Sequence, residues 1–451
     1  MQIEEVYEIL QKHISENKHE DAKKLLHEFQ PADIADFIED LTPEEIGPIL
    51  NLLTGEVAGE VLNQLDPELA GQVLINIGEE KTSAIIEEMY SDDVADLLAE
   101  LPDQEKDKIL NLMEREDAVE VRELLEYKED TAGGIMTTEY VAILQNITAG
   151  RAIEVLREIA PDAETVYYVY VVNDKNQLVG VISLRELIVA SPDTIIENIM
   201  HHKVKSVNVN MDQEEVAAIV TKYNFLAVPV VDNDNCLLGI VTVDDVIDVI
   251  HEEATEDIYR LAGTTEIDLE DNLFARILSS LRSRLPWLLV TLAGGLLAGR
   301  IIRSLEAELQ AVVALAYFIP LLTGMGGNVG TQSSTLTVRG LATGQVDAKE
   351  LVQTVWREAM VGMAVGLICG LIVTLVAFLW QKSLLLGLVV GGALLGNMIT
   401  AATMGTFVPM VFKRLGIDPA VASAPFISTS IDITGLLIYT GLAAIFIRQL
   451  I

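Results

Sequence analysis

The sequence contains few cysteines and few basic residues, and each scarcity excludes a class of protein. Only two cysteines, Cys236 and Cys369, occur among the 451 residues. They lie far apart and offer no disulfide framework, which fits a reducing compartment. Lys and Arg number 30 against 68 Asp and Glu. So acidic a surface repels nucleic acid and anionic lipid, and we expect no nucleic-acid partner.

Recognisable catalytic patterns are also missing. The sequence has no P-loop and no nucleophile–base constellation, and its six histidines are scattered outside the apolar segments. We therefore expect that the protein is not an enzyme. The first ten residues, Met1–Leu10, are acidic and lack the pattern of a signal peptide. This predicts that membrane insertion relies on later hydrophobic segments.

The acidic residues are concentrated in the first 275 positions. This part contains 61 Asp and Glu against 18 Lys and Arg, whereas residues 276–451 contain 7 against 12. An acidic surface of this size attracts counter-ions, and divalent cations most strongly. A role in solubility or salt adaptation stays open, because charge alone does not distinguish it from cation binding.

Residues 1–130 show an internal repeat that predicts an all-α acidic superhelix. Ile49-Leu-Asn-Leu52 recurs as Ile109-Leu-Asn-Leu112, and Asp33-Ile-Ala-Asp36 as Asp93-Val-Ala-Asp96. Short amphipathic helices cannot bury a face alone, so stacking is the expected fold.

Residues 131–257 change to strand-like periodicity and contain a duplicated pattern. Val172–Leu187 aligns with Val231–Val246 as strand, turn, strand and helix. This resembles an α/β tandem pair of CBS domains, and such pairs often bind adenine nucleotides. Residues 246–284 then predict a connecting helix, broken at Gly263 and resumed from Leu269 to Arg284. It is expected to act either as a lever or as a passive linker.

Residues 285–451 predict an α-helical transmembrane domain of five helices, over 286–305, 310–334, 358–380, 384–410 and 420–447. Each reaches or nearly reaches the ~20 residues that cross a bilayer. With the N-terminus inside, eight basic residues near span ends face the inner side and four the outer side, as the positive-inside rule favours. The C-terminus is then expected outside. The whole chain is predicted to be a multidomain membrane protein.

Asp432 is the main chemical signal in the apolar half. A carboxylate at mid-membrane depth costs a few kcal/mol on insertion scales, and such residues commonly mark ion pathways. Protonation of the carboxylate, or its pairing with an Arg of a neighbouring helix, stays open as an alternative. Phe426 and Thr429 share roughly one helix face with Asp432, and Pro425 lies next to that face. Pro425 is expected to kink the helix by freeing a carbonyl near Val421.

A glycine-rich segment of the second span is the other pathway candidate. Gly326, Gly327 and Gly330 surround Asn328 and do not favour a regular lipid-facing helix. Unwound backbone lining a pore is the main interpretation, and a glycine-capped helix end is the alternative. Asn397 is a weaker pore candidate. Small residues four apart, such as Gly295/Gly299 and Gly387/Gly391, are expected to form packing faces between helices.

These features together resemble the MgtE family of magnesium channels and transporters. The motifs that carry the resemblance are Pro-x(5)-Gly-Gly-Asn-x-Gly-x-Gln from Pro320 and Asp432-Ile-Thr-Gly-Leu-Leu-Ile-Tyr439. The resemblance implies a homodimer in the membrane lipid, with a central pore lined mainly by the second and fifth spans. It also implies that Asp432 holds hydrated Mg²⁺ and that Asn328 lies near the inner side of the pore.

The resemblance further implies a cytosolic Mg²⁺ sensor, made by acidic residues at the interface of the helical domain, the CBS pair and the connecting helix. The positions that match it, with two expected partners in the helical domain, are Asp245, Asp248, Glu253, Glu256, Asp257, Glu214, Asp92 and Asp93. Bound Mg²⁺ would bridge these carboxylates and shut the pore.

The expected function is therefore a Mg²⁺-selective channel or transporter of a bacterial-type plasma or inner membrane, gated by cytosolic Mg²⁺. The expected ligands are Mg²⁺ and an adenine nucleotide, ATP or another, in the CBS cleft. Two alternatives stay open: a broader pathway for Mn²⁺, Co²⁺ and Ni²⁺, and a membrane-anchored nucleotide sensor that transports nothing.

Overall fold

The computed structural model describes residues 10, 13, 18–39, 41–265, 273–304, 306–422 and 424–450. The chain divides into two compact units, Met1–Ile250 and His251–Ile451. Most of the N-terminal segment Met1–Leu10 and the start predicted for the resumed connecting helix, Leu269, lie outside the described residues.

The first unit begins with a series of short helices, each 8 to 10 residues long. They are α1 (His19–Leu26), α2 (Pro31–Ile38), α3 (Pro43–Leu50), α4 (Gly55–Asn63), α5 (Pro67–Asn76), α6 (Glu79–Ile86), α7 (Ser91–Ala99), α8 (Asp103–Leu110) and α9 (Arg115–Leu124). Alternate helices pack together along most of the series, α2 on α4, α3 on α5 and so on to α7 on α9. This is the stack that the repeat predicts.

The turns of the stack are set by capping residues. Thr42 and Glu45 form a capping box, in which the Thr42 amide donates to the Glu45 carboxylate at 3.1 Å. Asp66 accepts from two amides at the start of α5. Proline follows each cap at the first helical position, where its missing N–H has no partner to lose. These turns stop each helix early and leave its apolar face to its neighbours.

Two three-stranded sheets of identical topology follow. Their strands are β1 (Ala142–Leu144), β2 (Tyr168–Val172), β3 (Leu178–Ser183), β4 (Val207–Asn208), β5 (Ala227–Val231) and β6 (Leu237–Thr242). In each sheet the first strand runs parallel to the second and the third runs antiparallel to it. The helices between them are α10 (Ala149–Ile159), α11 (Leu184–Val189) and α12 (Gln213–Tyr223). The predicted duplication is thus confirmed.

The two sheets are joined through their equivalent hairpin turns. Asn176 and Asn235 have φ of 58° and 63°, the left-handed conformation that a tight turn needs. The Leu178 amide donates to the Asn235 carbonyl at 2.9 Å, and the Leu237 amide donates to the Asn176 carbonyl at 3.0 Å. Each half therefore completes the turn of the other.

The helix α13 (Val243–Ala262) begins where β6 ends and stops just before Gly263, whose φ is 75°. The prediction that Gly263 ends the connecting helix is confirmed. The next described helix, α14 (Leu273–Ser304), continues through Pro286 into the first apolar segment. The resumed connector and the first span therefore form one continuous helix over its described length.

Among the described residues, five helical segments are long and apolar enough to cross a membrane. The elements of this unit are α14, α15 (Glu306–Ala311), a 3₁₀ turn (Val313–Phe318), α16 (Ile319–Ala342), α17 (Leu351–Gln381), α18 (Leu384–Arg414) and α19 (Ala424–Leu450). The predicted number of spans is confirmed. The second span differs from the prediction, because α16 continues past residue 334 to Ala342.

The helices α17 and α18 pack closely against each other through glycines at four-residue spacing. A Cβ on Gly370 would fall 2.8 Å from the Gly391 carbonyl oxygen, and one on Gly387 would fall 2.6 Å from the Thr374 carbonyl oxygen. The packing prediction is confirmed for these helices. It is not met for Gly295 and Gly299 on α14, where an added Cβ would meet no described atom of this chain within 4 Å.

Candidate cation sites and family membership

An acidic cleft of about 910 Å³ lies in the first unit, between the helical stack and the tandem sheets. Its walls carry carboxylates and no Lys or Arg among the described lining residues. The carboxylates are Glu56, Glu60, Glu87, Glu88, Asp92, Asp93, Asp117, Glu120, Glu139, Glu164, Asp244 and Asp245. Negative charge without a counter-charge makes this cleft a candidate for cation binding.

Three of these residues are close enough to share one metal ion. One carboxylate oxygen from each of Glu164, Asp244 and Asp245 lies within 4.8 Å of the others. Asp245 caps α13 and accepts from the Thr242 hydroxyl at 2.6 Å, which fixes its position. Carboxylate oxygens suit hard divalent cations such as Mg²⁺ and Ca²⁺. The cluster is therefore a candidate metal centre.

The electrostatics of the cleft favour a bound cation. Burial raises the pKa of Glu164 to about 8, and the nearby Asp245 carboxylate contributes to this rise. Burial likewise raises the pKa of Asp93 to about 7 and that of Asp245 to about 6. A divalent cation would reverse these effects, because it stabilises the charged form of each carboxylate.

Asp92 is the most deeply placed carboxylate of the cleft. Its residue is 8% exposed, and its Oδ1 atom is buried with no hydrogen-bond partner among the described residues. Burial raises the pKa of Asp92 well above its usual range, and Asp93 and Glu164 add to this. A buried acceptor without a partner is costly, so an ion or a water held by that ion would relieve it.

Glu139 ties the helical stack to the first sheet domain at the edge of this cleft. Its Oε1 accepts from the amide and hydroxyl of Ser91 at 2.9 and 2.7 Å, and its Oε2 accepts from the Thr137 hydroxyl at 2.9 Å. Ser91 begins α7, which carries Asp92 and Asp93. The acidic pair is thus oriented toward the cleft by a neighbouring carboxylate.

The predicted sensor residues do not all meet at this cleft. Asp245, Asp92 and Asp93 line it. Asp248 is exposed on α13, and Glu214 lies in the first turn of α12. Glu253, Glu256 and Asp257 follow on α13 and belong to the second unit.

In the second unit, Asp432 lies in the middle of α19 and is partly buried. No hydrogen bond or ion pair links its carboxylate to another residue of the described part of the chain, and no arginine pairs with it there. Around it, Thr434 donates to the Ser430 carbonyl at 3.0 Å, and the Tyr439 hydroxyl donates to the Leu315 carbonyl at 2.7 Å. Tyr439 thus fixes α19 against the 3₁₀ turn, while Asp432 has no such partner within the described residues.

The expected kink at Pro425 was wrong. Pro425 is the second residue of α19, where a missing amide hydrogen breaks no helical bond. Val421 lies before the helix, in a 3₁₀ turn. Thr429 donates to the Pro425 carbonyl at 2.6 Å and is buried, and a Cβ on Gly294 of α14 would strike its methyl group. Its hydroxyl therefore satisfies the first turn of the helix.

The glycine-rich segment forms regular helix, so the prediction of unwound backbone was wrong. Gly326 and Gly327 lie inside α16, and Asn328 is exposed on it. A Cβ on Gly326 would strike the amide of Asn397, whose Nδ2 donates to the Leu322 carbonyl at 2.7 Å. A Cβ on Gly327 would approach Ser428 of α19 at 3.3 Å. These glycines let α16, α18 and α19 approach closely.

Sequence reasoning missed most carboxylates of the acidic cleft, among them Asp244, Glu139 and Glu164. Asp244 was visible, since it directly precedes Asp245 and forms an Asp-Asp pair at a helix start. Glu139 and Glu164 gave no such signal, because both lie in irregular segments between strands and helices. Asn397 was predicted only as a weak pore candidate. It is fully buried, and its Oδ1 has no hydrogen-bond partner in the part of the chain that the structure describes.

Comparison with known proteins agrees with this architecture. The family model described as MgtE, divalent cation transporter, matches residues 319–442. The MgtE intracellular N domain model matches residues 29–130, and the CBS domain model matches 132–193 and 196–252. The family is one of transporters, and its models cover both units of the chain.

Individual relatives extend this match to most of the chain. The magnesium transporter MgtE of Enterococcus faecalis is 45% identical over 74% of this chain and 73% of its own length. That of Thermus thermophilus is 40% identical over 79% of this chain and 80% of its own length. A crystal structure of the cytosolic domain of the Mg²⁺ channel MgtE in complex with ATP is 41% identical, with a TM-score of 0.51, over 53% of this chain and 98% of its own. The chain therefore belongs to the MgtE family.

Proposed function

We propose that this protein is a Mg²⁺-selective channel or transporter, gated by Mg²⁺ on the cytosolic side. The single observation that carries the proposal is Asp432, a partly buried carboxylate inside an apolar helix with no partner among the described residues. A charge in that position is costly unless it serves a hydrated path. Mg²⁺ keeps several waters and is commonly held by one or two carboxylates, which suits one Asp432 from each of two chains.

The proposed pore belongs to a homodimer. It would be lined mainly by α16 and α19. The pore residues predicted from the sequence are Asp432, Asn328, Gly326, Gly327, Pro425 and Thr429. In support, Asp432 is partly buried and Asn328 is exposed on its helix. Gly326, Gly327 and Thr429 are buried in helix contacts, so their proposed part is to set the spacing of the pore helices.

The proposed sensor is the acidic cleft, with Asp92, Asp93 and Asp245 as ligands and Glu164 and Asp244 added to the predicted set. The remaining predicted ligands, Asp248, Glu253, Glu256, Asp257 and Glu214, are proposed to hold further ions. A divalent ion shifts the gating equilibrium only by its preference for the closed state. Several weak sites acting together would make that preference large.

We also propose the position of the chain in its cell. It would lie in the bacterial-type plasma membrane with residues 1–130, 131–257 and the connecting segment 246–284 inside, and with the C-terminus of the 285–451 pore domain outside. The proposed nucleotide site is the cleft between the two CBS halves, for ATP or another adenine nucleotide. It is supported by the relative whose cytosolic domain was solved with ATP. No enzymatic activity is proposed.

The test is Mg²⁺ flux into liposomes that contain the purified full chain, at low internal Mg²⁺. Asp432→Asn is expected to reduce flux at least about tenfold, because losing about 1.4 kcal/mol of ion stabilisation changes occupancy by that factor. Glu350→Gln is the control, since it neutralises an exposed carboxylate between α16 and α17. It should leave flux unchanged.

The outcomes separate the alternatives. Equal fluxes of Ca²⁺ and Mg²⁺ would contradict selectivity, and passage of Mn²⁺, Co²⁺ and Ni²⁺ would favour the broader pathway. A wild-type chain that passes no ion at low internal Mg²⁺ would favour the nucleotide sensor.

A further inference from the structure

A fully buried amide lies in the middle of α18, where the membrane helices pack together. The Nδ2 atom of Asn397 donates to the Leu322 carbonyl of α16 at 2.7 Å, so this hydrogen bond joins two helices. Its Oδ1 atom is buried and has no hydrogen-bond partner among the described residues. A leucine has nearly the same shape and would bury no polar atom here, so the amide is costly at this position. What the amide adds is a directional bond to α16.

The amide of Asn397 lies between α16 and α19, because each of these helices has a glycine beside it. A Cβ on Gly326 of α16 would strike the Nδ2 atom, and a Cβ on Gly435 of α19 would fall 2.5 Å from the Oδ1 atom. Neither Cβ could be accommodated unless the amide or a helix moved. The amide therefore sets how closely α16 and α19 approach each other at this level.

The same face of α19 determines the direction of Asp432. Ile431 and Gly435 are four residues apart, so they lie on one face of the helix. That face packs on α16, since a Cβ on Gly330 would strike the Cδ1 atom of Ile431 and one on Gly326 would fall 2.9 Å from its Cγ2 atom. Asp432 follows Ile431 directly and lies about 100° further around the helix. Any rotation of α19 on this face would therefore move the Asp432 carboxylate relative to α16.

We propose that Asn397 is a positioning residue that holds α19 in the rotation in which Asp432 selects Mg²⁺. Its bond to Leu322 fixes the amide on α16, and the amide surface then determines where Gly435 packs. The inference rests on the proposed function, in which Asp432 binds the hydrated ion. Mg²⁺ requires near-ideal octahedral geometry, whereas Ca²⁺ accepts variable geometry and ligand number. A displaced Asp432 should therefore lose its preference for Mg²⁺ over Ca²⁺.

The experiment measures Mg²⁺ and Ca²⁺ fluxes separately in liposomes containing the full chain, at low internal Mg²⁺, and compares their ratio. Asn397→Ala and Gly435→Ala should each lower the ratio of Mg²⁺ flux to Ca²⁺ flux about fivefold, within the range of couplings measured between residues in contact. Gly441→Ala, also on α19, should leave the ratio unchanged, since a Cβ there would meet no described atom within 4 Å. Partial unfolding does not move this ratio, because the loss of folded chain lowers both fluxes equally.

Two double variants test whether the effect passes through this contact and through Asp432. Adding Gly435→Ala to Asn397→Ala should lower the flux ratio no further, because the new methyl group occupies space that the amide has left. Adding Asn397→Ala to Asp432→Asn should leave the ratio of the Asp432→Asn chain unchanged, because Asn397 acts only through the carboxylate that this chain lacks.

The results separate the positioning role from the function on which it rests. An unchanged flux ratio in Asn397→Ala, even with a lower melting temperature in detergent, would show a purely structural residue and overturn the positioning role. A further fall of the ratio in either double variant would overturn it as well. Equal Mg²⁺ and Ca²⁺ fluxes through the wild-type chain would overturn the proposed selectivity, and the positioning role with it.

Discussion

At the scale of single residues, the carboxylates of the acidic cleft store an electrostatic cost that a cation can remove. Asp92 has a buried oxygen without a hydrogen-bond partner in the described structure, while Glu164, Asp93 and Asp245 have pKa values raised to between about 6 and 8. Their ordinary values are 3.8 and 4.5. The folded unit therefore binds protons that the unfolded chain releases, which makes its stability depend on pH.

The sign of this dependence gives the first prediction. Because the folded pKa values are raised, stability is greatest at low pH and falls as pH rises from about 4 to about 8. When a chelator removes divalent cations, the temperature at which a protease begins to cleave the first unit of the full chain should fall as pH rises from about 4 to about 8. Millimolar Mg²⁺ should remove most of the fall, because it stabilises the ionised carboxylates.

With the chelator present, Asp92→Asn should weaken the dependence of thermal stability on pH, because the neutral amide carries no charge that has to be buried. Asp117→Asn is the matched control, because it removes an exposed carboxylate of the same cleft. A wild-type melting temperature that rises with pH in the chelator would contradict the assigned cause.

At the scale of elements, helix packing decides which patterns in the sequence could be interpreted correctly. The glycine spacing on α17 and α18 predicted a close contact, which the structure has. The same spacing on α14 predicted a contact that is absent within the described part of this chain, because spacing does not say whether the partner surface belongs to the same chain. Pro425 and the Gly326 segment were misinterpreted for a related reason. The structural effect of a proline or a glycine depends on where the helix starts and on which residues pack beside it.

Two adjacent glycines of α18 give a matched pair for the second prediction. A Cβ on Gly391 would strike the Thr374 hydroxyl and the Gly370 carbonyl, whereas one on Gly392 would meet nothing within 4 Å among the described residues. Gly391→Val should destabilise the solubilised protein by about 1–3 kcal/mol, the usual cost of overpacking. Gly392→Val should have little effect. Thermal unfolding in detergent measures both, and equal losses would contradict the packing account.

At the scale of the whole molecule, the order of parts was predictable and the assembly of the acidic site was only partly so. Composition separates an acidic half from an apolar half, and the duplicated pattern around Val172 and Val231 identifies the paired sheets. The site at the cleft depends on Glu139 and Glu164, which reach it from irregular segments with no periodicity. Sequence patterns predict regular elements well, because hydrophobic spacing specifies a face. Sequence patterns do not predict which residues of irregular segments fold back to line the acidic cleft.

The topology of the membrane half gives the third prediction. An odd number of spans with an inner N-terminus places the C-terminus outside and the α16–α17 loop inside. In a Cys236→Ser, Cys369→Ser background, Gln449→Cys should react with an impermeant maleimide on intact cells, and Gln345→Cys should react only after lysis. The reverse labelling pattern would contradict the positive-inside assignment.

The exchange of backbone bonds between the two hairpin turns has a mechanical consequence. Because Leu178 and Leu237 each donate to the turn of the other half, rotating one sheet against the other would break both bonds together. The duplicated module should then respond to a ligand as a rigid block, and movement should be absorbed at its boundaries. One boundary is the start of α7, where Ser91 donates to Glu139, and the other is the start of α13. Both boundaries carry acidic residues of the same cleft, so a rigid module would keep those residues at a fixed spacing on its own side of the cleft.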